Sequence, residues 1–349
     1  MSSANVAALC VKLQKAEKIR KDLLQRNLLR TDLKIRKDDT FIYFPLKKII
    51  KNDDNNFTIT DMKFQYYTKT AKSYKDIVQL PKHLKKILPS SYDSIGDIIV
   101  IKLSDIFLDY TKEIGDALLK SNKNIKTVCL SQPVKGEYRT RNISVIAGIH
   151  KTTTTHKEYN LLFSLDLKDM YFSVRLANER RYIAGCVKDN EVVVDLFAGV
   201  APFSIMIAAY AKPKVVYAFD KNPYAVAYAK KNCTINRVLD CVEVVCIDSK
   251  KASEYVKQNV DRIIMNLPFS SLDFFSTALG LIKDTAVIHY YDILSEDDVE
   301  NRFVQLRYIA DKLDIHLCFD CLRKIKSYAP REFYIGLDIT ATKKSVMPM

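Results

Sequence analysis

The sequence predicts an α/β protein whose C-terminal half folds as a parallel, doubly wound sheet, with small α+β units ahead of it. Three observations carry this. From about Val187 the chain alternates short apolar runs with helical patterns, as a βαβα series does. The first run passes into Asp195-Leu196-Phe197-Ala198-Gly199-Val200-Ala201-Pro202-Phe203, a strand-turn-helix junction of the kind that receives nucleotide-like ligands. Acidic residues stand at or just after the ends of three successive runs, at Asp195, Asp220 and Asp248.

The 349 residues carry 55 Lys+Arg against 41 Asp+Glu, a formal charge of +14. A surplus of this size points to a polyanionic partner, most simply a structured nucleic acid. With 48% hydrophobic residues, the chain is no disordered tail. The most apolar stretch, Leu196 to Ala211, is broken by Gly199, Pro202 and Ser204. It falls short of the ~18 apolar residues of a spanning helix, so no membrane partner is expected. No signal-peptide pattern opens the chain, and a cytoplasmic or nuclear protein is expected, with room for an organellar pool. The 8 cysteines are widely spread, and Cys318-Phe-Asp-Cys321 has no second pair to complete a zinc site. Buried reduced thiols and no metal are therefore expected.

Residues 1–50 hold 12 Lys+Arg and 5 Asp+Glu. Within them, 9–30 have helical spacing, while Leu33–Asp39 and Phe41–Pro45 read as paired strands of a small basic α+β domain. Residues 51–75 are polar and read as a linker. A middle α+β domain is expected over 76–170. Its strands are Ile98–Leu103, Ile125–Leu130, Ser144–Gly148 and Asn160–Leu167, with a helix at 106–121. The tract Thr152–Thr155 reads as a surface strand or turn. The last domain, 171–349, takes strands at Glu191–Leu196, Lys214–Phe219, Val242–Cys246, Arg262–Met265, Ala286–Tyr290 and Phe333–Ile339. Helices are expected at 203–211 and 223–233 between them.

The turn after the first of these strands has Gly199 but lacks the second and third glycines of a pyrophosphate loop, which disfavours NAD and FAD. S-adenosylmethionine has no phosphate and tolerates such a turn. Asp220 is placed to accept ribose hydroxyls, and Asp248 to receive an adenine amino group; singly, each is more often a helix cap. Asn266-Leu267-Pro268-Phe269 ends the fourth strand, where the transferable group lies in this fold class. An Asn amide there can both donate to and accept from a base edge. Tyr171 to Arg181 and Tyr138-Arg139-Thr140-Arg141-Asn142 mix charge with aromatics and suit an RNA surface.

Together these motifs resemble the archaeal and eukaryotic tRNA guanine-N1 methyltransferases that act on the guanosine 3′ of the anticodon, tRNA position 37. The likeness spans nearly the whole chain. It rests on Phe172-Ser173-x-Arg175-Leu176 with Glu179-Arg180, on Val192–Phe203, on Asp261–Pro268, on Ser327-Tyr328-Ala329-Pro330-Arg331-Glu332-Phe333, and on residues 16–45, which resemble the family's small N-terminal domain that binds the tRNA elbow. The resemblance implies a class I, Rossmann-like methyltransferase fold using S-adenosyl-L-methionine, and a monomer acting on tRNA with guanosine at position 37. It implies catalytic roles for Glu179, Arg139 and Asn266. Glu179 takes the N1 proton as general base, Arg139 stabilises charge on O6, and Asn266 holds the base edge. Arg175, Pro268 and Tyr171 become substrate-binding candidates. Asp195, Phe197, Gly199, Asp220, Lys221, Asp248 and Asn266 become cofactor-binding ones. No metal is required.

Two residues depart from the family pattern: Val174 replaces Pro, expected to loosen a turn, and Ala201 replaces Gly, expected to crowd the cofactor. The rival readings are the aminocarboxypropyl transferase of wybutosine synthesis, an exocyclic amino methyltransferase, and a non-catalytic tRNA-binding relative. Intact Asn266-Leu267-Pro268 and Glu179 favour methyl transfer.

Overall fold

The structure is a computed structural model and describes residues 3–49, 57–66, 73–135 and 140–346. The chain divides into two compact units, residues 1–76 and 77–349.

In the first unit, a four-stranded sheet takes the order β2-β3-β1-β4. Its strands are β1 (Ser3–Lys12), β2 (Arg36–Lys37), β3 (Phe41–Pro45) and β4 (Thr58–Gln65), with a helix at Ala16–Gln25. The expected hairpin forms, with Arg36 opposite Tyr43. The expected helix over 9–30 is shorter, because its start belongs to β1. Ala-rich β1 pairs antiparallel with both β3 and β4, and this long-range pairing outweighs local helix propensity. Leu9, Val11, Leu23, Leu29 and Phe44 form its core. The stretch 51–75, expected as a linker, contains β4, whose Phe64 is fully buried.

The second unit opens with a sheet ordered β5-β6-β7-β8: Asp93–Ile95, Ile98–Ile101, Thr127–Lys135 and Thr140–Gly148. The helix Thr111–Ser121 packs on it through Ile114, Ala117 and Leu118. The threonine tract becomes β9 (Thr153–Glu158), which forms a hairpin with β10 (Leu161–Asp166).

The large sheet then takes the order β13-β12-β11-β14-β15-β17-β16. Its strands are β11 (Val192–Asp195), β12 (Val215–Asp220), β13 (Val242–Cys246), β14 (Arg262–Met265), β15 (Thr285–Ser295), β16 (Ile315–Ala329) and β17 (Glu332–Lys343). β11 to β15 are mutually parallel where they pair; β17 inserts antiparallel between β15 and β16. Side chains alternate between two faces, each covered, which is why these strands read as continuous apolar runs. Val193, Val216 and Ile264 face one core with Ile183, Phe203 and Ala229. Val194, Phe219 and Met265 face the other with Phe275, Leu279 and Leu306.

β16 was not expected. Its run Leu322-Arg323-Lys324-Ile325-Lys326-Ser327-Tyr328 is polar because it is an edge strand carrying much exposed surface. Cys318 and Cys321 lie on it and are exposed, as is Cys246, so the expectation of uniformly buried thiols fails. The expected boundary at 170/171 separates no core. Leu161, Phe163 and Phe172 pack in the same apolar cluster as Val193 and Phe203.

A buried ion pair fastens the β9–β10 hairpin to the helix Ala177–Cys186. Arg180 donates to Glu158 from Nε at 2.8 Å and Nη2 at 2.5 Å, with 1% and 5% of the two residues exposed. It also donates to the Ser173 carbonyl at 3.0 Å and lies over the Phe172 ring. Replacing Glu158 with Ala leaves a buried guanidinium uncompensated and is expected to cost about 3–5 kcal/mol, read as a lowered urea midpoint.

Candidate active site

β11 lies between β12 and β14, so the chain leaves it in one direction first and returns on the other side later. At that reversal the loops part above the carboxyl ends of the strands and open a crevice. Gly199 lies there with φ +55°, and a Cβ built on it meets nothing nearer than the Tyr171 carbonyl oxygen at 4.0 Å. Its peptide therefore has an open face against which a ligand can lie.

The Gly199 N–H donates to Asp220 Oδ2 at 2.7 Å, and the Asn222 N–H to Oδ1 at 2.8 Å. The Asp220 carboxylate is thus oriented from below, and each oxygen keeps a lone pair for an incoming hydroxyl. Burial pushes its carboxyl up, against the pull of these two amides. Asn222 caps the helix Pro223–Ile235 and donates to the Asp169 carbonyl at 2.9 Å, tying that loop to the segment before Tyr171.

Asp195 does something different from the direct cofactor contact expected. It is 1% exposed and accepts the Ser204 hydroxyl at 2.8 Å, bracing the loop onto the helix Pro202–Tyr210. Burial pushes its carboxyl up to about 7. Such a group supports the crevice from beneath and does not line it. Phe197 is half-buried and packs edge-to-face on Phe274 at 5.0 Å, with the Lys250 ammonium 5.5 Å from the Phe274 ring centre. Asp248 is exposed and accepts the Lys250 N–H at 2.9 Å, capping the turn Ser249–Lys251. Lys221 is exposed beside Asp220.

Glu179, in the first turn of its helix, is 7% exposed. Its Oε1 accepts from the Tyr291 hydroxyl and from Arg323 Nη2, both at 2.9 Å. Among the described residues no hydrogen bond reaches Oε2. The Tyr291 ring lies 6.0 Å from that of Tyr334, and the Tyr334 hydroxyl donates to Asn266 Oδ1. A continuous set of contacts therefore runs from the proposed base to the end of β14. Beyond Asn266, Phe269 has φ +75° and packs edge-to-face with Tyr328 at 5.4 Å, bringing the Asn-Leu-Pro-Phe loop against the β16–β17 hairpin.

Arg175 is drawn elsewhere: its Nε donates to Asp93 Oδ1 at 2.7 Å, on β5. Arg139 lies outside the described residues. Val174 forms the expected turn and packs against the apolar core. Ala201 is fully buried in that core with φ +61°, a left-handed backbone that an L side chain adopts at a cost. Tyr291, Arg323, Tyr334 and Asp338 were missed. The signal was faint: an arginine on a polar edge strand, and tyrosines within apolar runs.

The crevice and its residues fit S-adenosylmethionine: an open backbone face at Gly199, a pre-oriented carboxylate for ribose, and no pyrophosphate loop. Fold and site together define a class I, Rossmann-like methyltransferase. The TRM5/TYW2 methyltransferase domain matches residues 154–318, the TYW2 N-terminal domain 74–152 and the tRNA methyltransferase 5 N-terminal domain 8–54. Trm5b of Pyrococcus abyssi, a tRNA (guanine(37)-N(1))-methyltransferase, is 35% identical over 95% of this chain and 98% of its own. Its crystal structure superposes with a TM-score of 0.74, covering 97% of this chain and 99% of that one. The complex of aTrm5 with tRNALeu gives a TM-score of 0.67 at 31% identity, over 95% and 99%. A sequence and a solved structure from Methanocaldococcus jannaschii are also similar. The tRNA(Phe) (4-demethylwyosine(37)-C(7)) aminocarboxypropyltransferase is 33% identical over 71% of this chain and 96% of its own. TYW2 in complex with AdoMet gives a TM-score of 0.56 at 28% identity, over 72% and 100%. The chain belongs to the Trm5-type tRNA methyltransferase family.

Replacing Ala201 with Gly relieves the left-handed backbone, partly offset by a more flexible unfolded chain. The lost buried methyl offsets the rest, so stability in urea unfolding is expected to change by less than about 1 kcal/mol, where an ordinary buried Ala→Gly would lose more.

Proposed function

We propose that this protein is a tRNA (guanine(37)-N1)-methyltransferase that uses S-adenosylmethionine. The observation that carries the reading is Glu179. It is a carboxylate held in a buried place by two donors on Oε1, with Oε2 unengaged among the described residues and Asn266 a short chain of contacts away.

Guanine N1 carries a proton near neutral pH, so its lone pair is unavailable until a base removes it. Glu179 Oε2 takes that proton as the N1–carbon bond forms. The bound cofactor supplies an electrophilic methyl group, whose sulfur–carbon bond breaks to leave S-adenosylhomocysteine. Negative charge gathers on O6, and Arg139 is the donor assigned to it. Asn266, its Oδ1 fixed by Tyr334, directs its amide N–H toward the base edge. Asp220 holds the ribose, Gly199 accommodates the cofactor's close approach, and Phe197 with Asp248 and Lys221 border it. Pro268 stiffens the loop, Tyr171 borders the entry side, and Arg175 braces its segment through Asp93. The target base must leave its stack to reach this crevice. The basic N-terminal unit contacts the tRNA, and the enzyme works as a monomer in the cytoplasm or nucleus.

The match of residues 74–152 to the TYW2 N-terminal domain favours aminocarboxypropyl transfer as the second reading. Intact Asn266-Leu267-Pro268, Glu179 and the match of residues 8–54 weigh against it. Cofactor labelled separately on the methyl and on the aminocarboxypropyl carbons distinguishes them, offered to unmodified tRNA transcripts bearing G or A at position 37 and to tRNA carrying 4-demethylwyosine there. The proposal expects 1-methylguanosine from the G transcript alone; label arriving from the aminocarboxypropyl carbons would replace it.

Glu179→Gln is expected to keep tRNA affinity and slow single-turnover methyl transfer by roughly 10²–10⁴-fold. A near-wild-type rate would remove Glu179 from the base role. Binding of tRNA is expected to weaken steeply with added salt as phosphate contacts release counterions. A flat response in filter binding would discount the basic N-terminal unit as an RNA contact.

A further inference from the structure

We propose that Arg323 and Tyr291 are positioning residues that hold Glu179 ionised and aim its free oxygen, with Asp338 as the second anion that lets Arg323 keep its charge partnered while Glu179 becomes neutral. The inference rests on the reading of Glu179 as the base.

A base in a buried place faces a conflict. Burial disfavours the ionised carboxylate, yet only that form can take the guanine proton. Arg323 resolves the first half. Its Nη2 donates to Glu179 Oε1 at 2.9 Å and also to Asp338 Oδ1 at 2.9 Å, while its Nη1 donates to Asp338 Oδ2. The guanidinium thus lies between two carboxylates and stacks on the Tyr182 ring at 4.4 Å. When Glu179 accepts the proton, its attraction for Arg323 weakens, but Arg323 keeps Asp338. No buried cation is left alone, which is the event that makes broken buried pairs costly.

Asp338 is itself fixed. The buried His289 donates to it from Nδ1 at 2.6 Å and accepts from Arg262 Nη1 at Nε2, 2.8 Å away. Arg262 is anchored in turn on Glu191 at 2.7 and 2.9 Å. Burial keeps His289 in the neutral form that this pattern requires. The Tyr182 hydroxyl donates to Asp338 Oδ2 at 3.2 Å. The Asp338 carboxyl is held well below the usual range by His289 and Arg323, against its own burial. It stays charged throughout.

Tyr291 supplies direction. Its hydroxyl and Arg323 both occupy Oε1, so the proton must go to Oε2. Tyr291 is fully buried and wedged between Phe203 at 5.7 Å and Tyr334 at 6.0 Å, so the hydroxyl cannot swing away without repacking. Among the described residues, the charged and titratable groups around Glu179 are Arg180, paired with Glu158, and Tyr182 on its own helix. Tyr291 faces it from β15, Arg323 from β16, and Tyr334 and Asp338 lie on β17.

The test is the pH profile of single-turnover methyl transfer, with saturating tRNA and S-adenosylmethionine. Arg323→Gln is expected to move the acid limb upward by about one pH unit or more, since a carboxylate loses its neighbouring cation. Arg323→Lys is expected to return the limb most of the way. Tyr291→Phe, which removes one oxygen and conserves shape, is expected to shift the limb in the same direction by less and to lower the plateau about tenfold. In a Glu179→Gln background, Arg323→Gln and Tyr291→Phe are expected to add little further loss, because they act through Glu179. An unmoved limb with a uniform rate loss, or full losses that multiply on Glu179→Gln, overturns the proposal in favour of a purely structural role. Glu179→Gln running at the wild-type rate overturns the base assignment itself, and this inference with it. That outcome is distinct, because it appears in the single variant before either partner is changed.

Discussion

The arrangement turns on one guanidinium shared between two carboxylates. Arg323 comes from β16, Asp338 from the neighbouring β17, and Glu179 from the helix ahead of the sheet, so a single cation joins a hairpin to a helix 144 residues earlier in the chain. The guanidinium gives both carboxylates a charged partner in an enclosed place. Together they make an ionised carboxylate tolerable beside Tyr291, in a region otherwise packed with aromatic rings. The rest of the catalytic side is built outward from this point: Tyr291 beside Glu179, Tyr334 beside Tyr291, Asn266 beneath Tyr334.

The residue next to Glu179 performs the structural counterpart. Arg180 is buried against Glu158 of the β9–β10 hairpin, so the first turn of one helix carries both Glu179, the proposed base, and the fastening of the preceding segment. This explains why the middle strands and the large sheet share a core. The helix that bears Glu179 is held from one side by the hairpin and from the other by β15, β16 and β17. The cofactor side is more local. Asp195, Ser204, Gly199 and Asp220 lie within one strand-loop-helix-strand stretch, and the backbone amides of that stretch orient the carboxylate of Asp220.

Much of this could be read from the residues. The parallel strands declared themselves because both faces of the sheet are covered, leaving short apolar runs such as Val242–Cys246 and Arg262–Met265 that match the structure end to end. Gly199 and Asp220 were legible because a turn beside a ligand constrains residue type. The end of β1 was misread because Leu9 to Lys12 run on into the helical spacing that follows, and only pairing with β3 and β4 makes them strand. β4 was hidden because its exposed positions, Thr58, Thr60, Asp61, Lys63 and Gln65, make the stretch polar. β16 was missed because the alternation Ile315, Leu317, Phe319 is short, and the exposed edge that follows from Asp320 is polar.

What the sequence by itself determined is the local part: the strand rhythm, the loop that bends at Gly199, the carboxylate at the end of β12, and a glutamate among basic and aromatic residues. These follow from backbone sterics and from short-range periodicity, which act between neighbours in the chain. Only the tertiary structure decided that Asp195 supports the loop from below, that Arg175 turns to Asp93, and that Glu179 meets Arg323 and Tyr291, 144 and 112 residues away. Those outcomes depend on burial and on charges meeting across the fold. A carboxylate's role is set by which partners reach it when water is removed, and that is decided only once the sheet is assembled.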